Sequence, residues 1–238
     1  MPIEIFGSLV SPFVDKVTRA LRWKGLPFEL VLPARFGDFA RWSPETGKMP
    51  VARIEGDTIT DSTFILRRLD ALQPEPPLFA KDPERAAAQR LLEDWADESL
   101  YWLRRALLFQ DPERAADAII VALPIPAVAR PLVRRVMIRQ LGAQVRAQGM
   151  GRLPRETLVR ELGLRLDDVV GVLGVRPFLF GEALGAADLA VAAQLHFHTT
   201  VATQPDVAKA VVVRPALATW KERVDARTLP THRAGAAA

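Results

Sequence analysis

The chain has 238 residues, of which 49% are hydrophobic and 25% charged, and this composition argues against a disordered or fibrous protein. It contains no cysteine, which excludes disulfides, thiolate metal ligands and a protein thiol as nucleophile. The net charge is +4, and the excess is local because the arginine-rich stretch 130–160 contains only one acidic residue, Glu156. The length suits two unequal domains.

The first part of the chain reads as a strand, a helix and a second strand. Residues 3–6 alternate between apolar and polar types, as a short strand does. Ser11 is a typical helix N-cap, Pro12 is typical of the first helical position, and Gly25 predicts the helix end. Residues 28–32 predict a second strand, which a helical crossover would place parallel to the first.

A hairpin and a further helix are predicted next. Residues 51–54 and 58–60 flank the turn-like Glu55-Gly56-Asp57, which indicates two antiparallel strands. Asp61-Ser62 then predicts the start of a helix with one apolar side, ending near Leu72. The segment between the second strand and the hairpin has no clear pattern and is predicted only as a crossover.

The rest of the chain is predicted to be helical. Prolines at 74, 76 and 77 indicate a linker, followed by a long helix marked by Leu91 to Leu107, an apolar helix over 186–196 and a last helix around 216–224. The predicted division is a first domain over 1–73, a linker over 74–84, an all-helical domain over 85–233 and a flexible tail over 234–238.

Four motifs occur in a characteristic order: Ser11-Pro12-Phe13, Gly47-Lys48-Met49-Pro50-Val51, Asp61-Ser62, and Pro177 to Gly181 ahead of Ala187-Asp188. In this order the chain resembles the glutathione transferase superfamily. The Asp15-Lys16-Val17 helix, the region 95–102 and the arginine-rich middle resemble its metaxin-like and failed-axon-connections-like branch. The resemblance implies an α/β thioredoxin-like N-terminal domain followed by an all-α C-terminal domain.

The resemblance also implies a glutathione site in the first domain. Ser11 would donate its hydroxyl to the glutathione sulfur at a helix N-terminus, which favours the thiolate; the alternative is that Ser11 only caps the helix. Pro50 would follow a cis peptide bond, and Met49 would pair its backbone with the bound peptide. The alternative for this segment is a proline that begins an edge strand.

Three further residues would bind the ends of glutathione. The helix start at Asp61-Ser62 would hold the γ-glutamyl α-carboxylate, and Asp61 would hold the amino group. Lys48 would neutralise the glycyl carboxylate. The plainer alternatives are an ordinary Asp-Ser cap and a solvated surface lysine.

The second substrate would meet a pocket formed by Phe13, Tyr101 and Trp102, although core or interface packing is the alternative for Tyr101 and Trp102. No metal site is predicted, because His196 and His198 are two residues apart and a helix would point them to different faces. Asp188, the third residue after Gly185, is predicted to have a structural role resembling that of a capping box.

The resemblance implies a glutathione S-transferase-like enzyme in which a serine-stabilised glutathione thiolate attacks a small hydrophobic electrophile. The alternatives are glutathione-dependent isomerisation or dehalogenation, and a non-catalytic module that binds a protein partner, a membrane surface or another anionic partner through residues 118–160. A homodimer is expected, and no nucleic-acid partner is. The N-terminal residues lack the pattern of an export signal, so a cytoplasmic location is expected.

Overall fold

The computed structural model describes residues 2–35, 37–121, 123–201 and 204–230. The N-terminal domain contains four strands and three helices: β1 (Ile3–Phe6), α1 (Pro12–Lys24), β2 (Phe28–Val31), α2 (Asp38–Trp42), β3 (Val51–Ile54), β4 (Asp57–Thr60) and α3 (Ser62–Leu72). The predicted order of elements is confirmed. The short helix α2 was not predicted, because a single turn and a half has too few residues to show helical periodicity.

The four strands form one mixed sheet in the order β2-β1-β3-β4. β1 and β2 are parallel, with Ile3 opposite Phe28, whereas β3 is antiparallel to both β1 and β4. Both the parallel pair and the hairpin are therefore as predicted. Helices α1 and α3 contribute side chains such as Val14 and Leu66 to the same core as Ile5 of β1, and all three are fully buried.

The segment that connects the two domains is held against the first domain. Lys24, at the end of α1, pairs with Asp70 at 2.7 Å and donates to the carbonyl oxygens of Gln73 at 2.6 Å and Pro76 at 2.8 Å. A buried ammonium with three oxygen acceptors fixes the path of this proline-rich segment. The next helix begins at Pro83, within the segment 74–84 that we propose as the linker.

The second domain is helical, as predicted. Its elements are α4 (Pro83–Trp95), a π-helical turn (Ala96–Leu100), α5 (Tyr101–Leu108), α6 (Pro112–Val121), a 3₁₀ turn (Ala127–Ala129), α7 (Arg130–Gln148), a second 3₁₀ turn (Met150–Arg152), α8 (Arg155–Leu173), α9 (Ala186–His196), a second π-helical turn (Phe197–Val201), α10 (Pro205–Val212) and α11 (Pro215–Thr228). The helix predicted over 186–196 has the observed bounds. The predicted tail 234–238 lies outside the described residues.

Asp188 holds the start of α9 in place and is fully buried. Its Oδ2 accepts from the Gly185 N–H at 3.0 Å, and its Oδ1 accepts from the Leu179 N–H at 2.9 Å and from Trp220 Nε1 at 2.8 Å. Burial raises the pKa of Asp188, against the effect of these donors. The predicted structural role of Asp188 is confirmed.

Within the described part of the chain, no helix combines the length and the apolar run needed to cross a bilayer.

Candidate functional site

The loop between β1 and α1 brings Ser11 to the N-terminus of α1. Ser11 is the N-cap residue, with extended φ and ψ angles of −94° and 124°, yet its side chain makes no capping hydrogen bond. Its backbone N–H donates to the Ser8 carbonyl at 2.9 Å. The residue is 8% exposed, so its hydroxyl lies in a largely buried position at the positive end of the helix dipole. Ser11 therefore occupies the N-cap position without using its hydroxyl as the cap.

The segment before β3 packs against this loop. The Met49–Pro50 peptide bond is cis, as the resemblance implied, and Met49 Sδ accepts from the Ser8 N–H at 3.3 Å. Gly7 allows this close approach, because a Cβ at that position would lie 2.6 Å from Val14 Cγ2 and 3.3 Å from Met49 Cβ. Lys48 is exposed and makes no ion pair within the described residues.

Asp61 and Ser62 begin α3. Asp61 is an exposed N-cap whose Oδ1 accepts from the Thr63 N–H at 2.8 Å, whereas Ser62 is 3% exposed. The backbone of Asp61 has φ 77° and ψ 132°, a region that residues other than glycine seldom adopt. Such a conformation costs about 1–3 kcal/mol, and residues that adopt it cluster at active sites, ligand-binding positions and switch regions.

A buried ion network that the sequence did not predict connects this helix start to α1 and α4. Lys16 Nζ lies 2.9 Å from Glu93 Oε1 and also contacts Asp97 Oδ2, and Glu93 Oε1 accepts from Thr63 Oγ1 at 2.8 Å. One feature of the sequence could have predicted part of this network. Asp97 follows Glu93 by four residues, and that spacing puts both carboxylates on one helix face. The sequence did not show that Lys16 would meet them.

The network shifts the pKa values of Lys16 and Asp97. Burial alone would lower the pKa of Lys16, but Asp97 and Glu93 outweigh it and raise that pKa. Burial raises the pKa of Asp97 to about 6, and Lys16 opposes this while Glu93 and Asp61 add to it. The charge of Asp61, a predicted glutathione-site residue, therefore contributes to the raised pKa of Asp97.

The three predicted pocket residues meet where the domains join. Phe13 of α1 lies 5.0 Å from Tyr101 and Tyr101 lies 5.2 Å from Trp102, measured between ring centroids. Arg105 was not predicted; it donates to the Tyr101 hydroxyl, and its guanidinium carbon lies 5.4 Å from the Tyr101 centroid and 5.5 Å from that of Trp102. The sequence could have predicted the contact between Arg105 and Tyr101, because residues four apart on a helix lie on the same face.

Among the described residues, His196 and His198 belong to no group of three or more metal-ligand side chains. His198 is buried, and its Nδ1 lies 2.7 Å from Gln204 Oε1. Burial, together with the nearby Arg104, holds the pKa of His198 well below its usual value. No three His, Asp or Glu side chains in the described residues form a group that would hold a metal ion.

Comparison with known proteins finds similarity to glutathione transferases. A family model described as the glutathione S-transferase N-terminal domain matches residues 5–77. Glutathione transferase GST 23 of Zea mays is 35% identical over 107 residues, which are 42% of this chain and 48% of that protein. The uncharacterized GST-like protein YibF of Escherichia coli is 32% identical over 99 residues, or 40% and 48% of the two chains. The chain spans about half the length of these curated relatives.

Solved structures match over both domains and show the same fold. Glutathione S-transferase III in its apo form has a TM-score of 0.66 at 22% identity, covering 95% of this chain and 92% of that one. A glutathione S-transferase from Methylobacterium radiotolerans has a TM-score of 0.60 at 23% identity, covering 95% and 92%. The metaxin-like branch stays a prediction, since these matches do not test it. Residues 5–77 therefore match the glutathione S-transferase N-terminal domain family, and the chain as a whole has the fold of glutathione S-transferases of known structure.

Proposed function

We propose that this protein is a glutathione-dependent transferase in which Ser11 stabilises the glutathione thiolate. The supporting observation is the Ser11 hydroxyl, which lies at the N-terminus of α1 without a capping hydrogen bond. A hydroxyl donor and the positive end of a helix dipole both favour a thiolate over a thiol. Because the chain has no cysteine, the reacting sulfur is that of glutathione.

The rest of the glutathione molecule would lie across the adjacent loops. Met49, before the cis Pro50, would pair its backbone with the cysteinyl unit, and Lys48 would neutralise the glycyl carboxylate. Asp61 and Ser62 would hold the γ-glutamyl amino and carboxylate groups at the start of α3. In support, the Methylobacterium radiotolerans neighbour was solved in complex with glutathione sulfonate.

The chemical step would be a displacement or addition by the sulfur. The thiol releases its proton to solvent, the thiolate forms an S–C bond, and in a displacement the leaving group departs with its electron pair. Phe13, Tyr101 and Trp102 offer an aromatic surface for a small hydrophobic electrophile, beside the N-terminus of α1. Isomerisation and dehalogenation use the same activated sulfur and remain alternatives, and we also propose a homodimer in the cytoplasm.

Calorimetric titration with reduced glutathione tests the site without a known electrophile. We expect saturable binding that Asp61→Ala weakens. Asp82→Ala is the matched control, because Asp82 also caps a helix, accepting from the Arg85 N–H at 2.8 Å, but lies outside the site. For Ser11→Ala we expect binding with a raised thiol pKa, read from thiolate absorbance. Absence of binding by the parent protein, or equal effects of the two Asp substitutions, would refute the proposed site.

A second candidate function is attachment to an anionic membrane surface. Val128, Leu132 and Val136 form an apolar stripe that is 89%, 69% and 42% exposed. Arg135 lies beside the stripe, and the α7 ion pairs within the described residues involve only Arg134. Exposed aliphatic side chains next to unpaired arginines suit anionic lipid headgroups, whereas two copies of such a face would repel each other.

Vesicle co-sedimentation tests this second function. We expect binding to phosphatidylserine-containing vesicles, little binding to pure phosphatidylcholine, and loss of binding with Leu132→Glu. Leu164→Glu is the matched control, since Leu164 is 53% exposed on α8 away from the stripe. Equal binding to both vesicle types, or equal effects of the two substitutions, would exclude this function. If the protein bound a soluble protein partner but neither type of vesicle, that result would also exclude the membrane function.

A further inference from the structure

Arg104 of α5 is buried in the helical domain without a carboxylate partner. Four lysine and arginine side chains are buried among the described residues, and three of them pair with an acidic side chain: Lys16 with Glu93, Arg19 with Asp15, and Lys24 with Asp70. Arg104, the fourth, is fully buried, and its hydrogen bonds within the described ranges go to a neutral residue. A buried charge without a counter-ion is costly, so the fold carries an unfavourable charge at this position.

The groups around Arg104 do not compensate its charge. Its two Nη atoms donate to the backbone carbonyl oxygen and to the side-chain Oε1 of Gln194, and its Nε has no acceptor among the described residues. Burial lowers the pKa of Arg104 to about 9, which Tyr101 opposes, and the guanidinium is therefore still charged at neutral pH. Burial and this same charge lower the pKa of His198 well below its usual value, so His198 is neutral there.

Arg104 lies one helical turn from the contact between α5 and the Ser11 loop. Leu108 is four residues, or about 6 Å along the helix axis, from Arg104. Leu108 packs in a buried apolar cluster with Val10, and Met49 packs against that cluster. Val10 directly precedes Ser11, which we propose to hold the glutathione sulfur. The helix turn that carries Arg104 is therefore adjacent to the turn that packs against this loop.

We propose that the uncompensated charge of Arg104 stabilises the glutathione thiolate through space, an inference that rests on the proposed glutathione site. A positive charge lowers the pKa of a thiol, and in a low-dielectric interior this effect acts over more than one helical turn. Arg104 does not touch the sulfur; its effect adds to those of the Ser11 hydroxyl and the dipole of α1. The thiolate supplies the negative charge that Arg104 lacks in the free protein.

Arg104 also holds α5 against α9 through Gln194, and this second role does not require a charge. A neutral amide side chain could donate to the same oxygen atoms. Only the electrostatic role predicts that a neutral side chain at position 104 changes the ionisation of the glutathione sulfur and leaves the rest of glutathione binding intact.

The pKa of the protein-bound glutathione thiol, read from thiolate absorbance across pH, tests the proposal. Arg104→Gln should raise this pKa by about one unit, as loss of a unit charge about 12 Å away does at an effective dielectric constant of about 20. Arg104→Lys keeps the charge and should leave the thiol pKa close to that of the parent. Affinity for S-methylglutathione, whose sulfur cannot ionise, should be the same in the parent and in both variants.

Arg165→Gln is the matched control. Arg165 also donates to the carbonyl oxygen and the side-chain oxygen of a single residue, Ser99, at 2.6 Å each. Burial lowers the pKa of Arg165, but Glu161 and Asp168 oppose this, so its charge is compensated and its loss should leave the thiol pKa unchanged. Arg104→Met is a second neutral variant, because an apolar side chain needs no buried partner, and it should raise the thiol pKa as Arg104→Gln does.

Two results would overturn the role of Arg104. One is a thiol pKa that is lowered in the parent and equally lowered in both neutral variants. The other is an equal rise in Arg104→Gln and Arg104→Lys, or weaker binding of S-methylglutathione by both, which would assign Arg104 a packing role alone. If the parent protein binds no glutathione, or binds it with an ordinary thiol pKa, the proposed function itself fails.

Discussion

Lys16 and Glu93 form an ion pair with Nζ and Oε1 2.9 Å apart, and each side chain is 1% exposed. The same Oε1 accepts from Thr63 at 2.8 Å, so one carboxylate connects α1 with the start of α3. Glu93 itself belongs to α4, in the second domain. The pair therefore fixes the position of the Asp61-Ser62 helix start relative to Ser11, and it joins the two domains.

Lys16→Met is expected to lower the free energy of unfolding by about 3–5 kcal/mol. Removing one partner of a buried ion pair leaves the other charge without compensation, here the carboxylates of Glu93 and Asp97. Urea unfolding measures the change. Lys81→Met is the control, because Lys81 pairs with Glu75 while both side chains are mostly exposed, and it should leave stability nearly unchanged. Similar losses in the two variants would contradict the structural role.

The unfolding free energy is expected to depend on pH through Asp97. Its pKa rises from 3.8 to about 6 on folding, so between pH 4 and 6 the folded state binds more protons than the unfolded state. The contribution of Asp97 to stability is therefore largest at low pH and falls as pH rises through 6, by at most about 1.4 kcal/mol per pH unit.

Comparison with Asp97→Asn isolates this contribution, because groups outside the network titrate equally in both proteins and Lys16, whose pKa Asp97 raises, is protonated in both between pH 4 and 7. The variant should gain stability relative to the parent as pH rises from 4 to 6, and the difference should be constant above about pH 7. Urea unfolding at several pH values provides the measurement. A difference that does not vary with pH would show that Asp97 has an ordinary pKa in the folded protein.

Gly142 of α7 and Gly151 of the 3₁₀ turn that follows it should respond in opposite ways to alanine. Gly142→Ala is expected to raise the unfolding free energy by about 0.5–1 kcal/mol, since the new methyl group meets no atom within 4 Å. Gly151→Ala should lower it by about 1–3 kcal/mol, because its Cβ would lie 2.5 Å from Val145 Cγ1. Thermal and urea unfolding measure both, and changes of the same sign would contradict the packing described.

Asp188→Ala is expected to cost about 3 kcal/mol or more. It would leave the N–H groups of Gly185, Leu179 and Trp220 buried without their acceptor, and each such loss costs about 1–3 kcal/mol. Asp188→Asn keeps the shape and one acceptor oxygen, so it should cost less. Urea unfolding of the two variants measures this ranking, and an equal loss in both would argue against hydrogen bonding as the cause.

Local sequence features predicted most of the fold. Ser11-Pro12 and Gly25 predicted the bounds of α1, the turn at 55–57 predicted the hairpin, and the apolar run 186–196 predicted α9, because each depends on caps, turns or periodicity within a few residues. Helices α6, α7, α8 and α10 were not predicted as separate elements, and the short α2 was not predicted at all. The glutathione-site residues were predicted from the order of the four motifs. The structure shows where these residues lie, and their roles stay predictions.

The sequence by itself determined the order of the four strands with helices α1 and α3, the absence of any protein thiol, and the local excess of arginine. Only the tertiary structure decided which distant side chains meet. Lys16 and Glu93 are 77 positions apart, and one cleft is lined by residues of both α5 and α7, such as Ala106 and Ile138. Periodicity describes which face of a helix is apolar, but the partner of that face depends on how separate helices pack, and no local pattern records it.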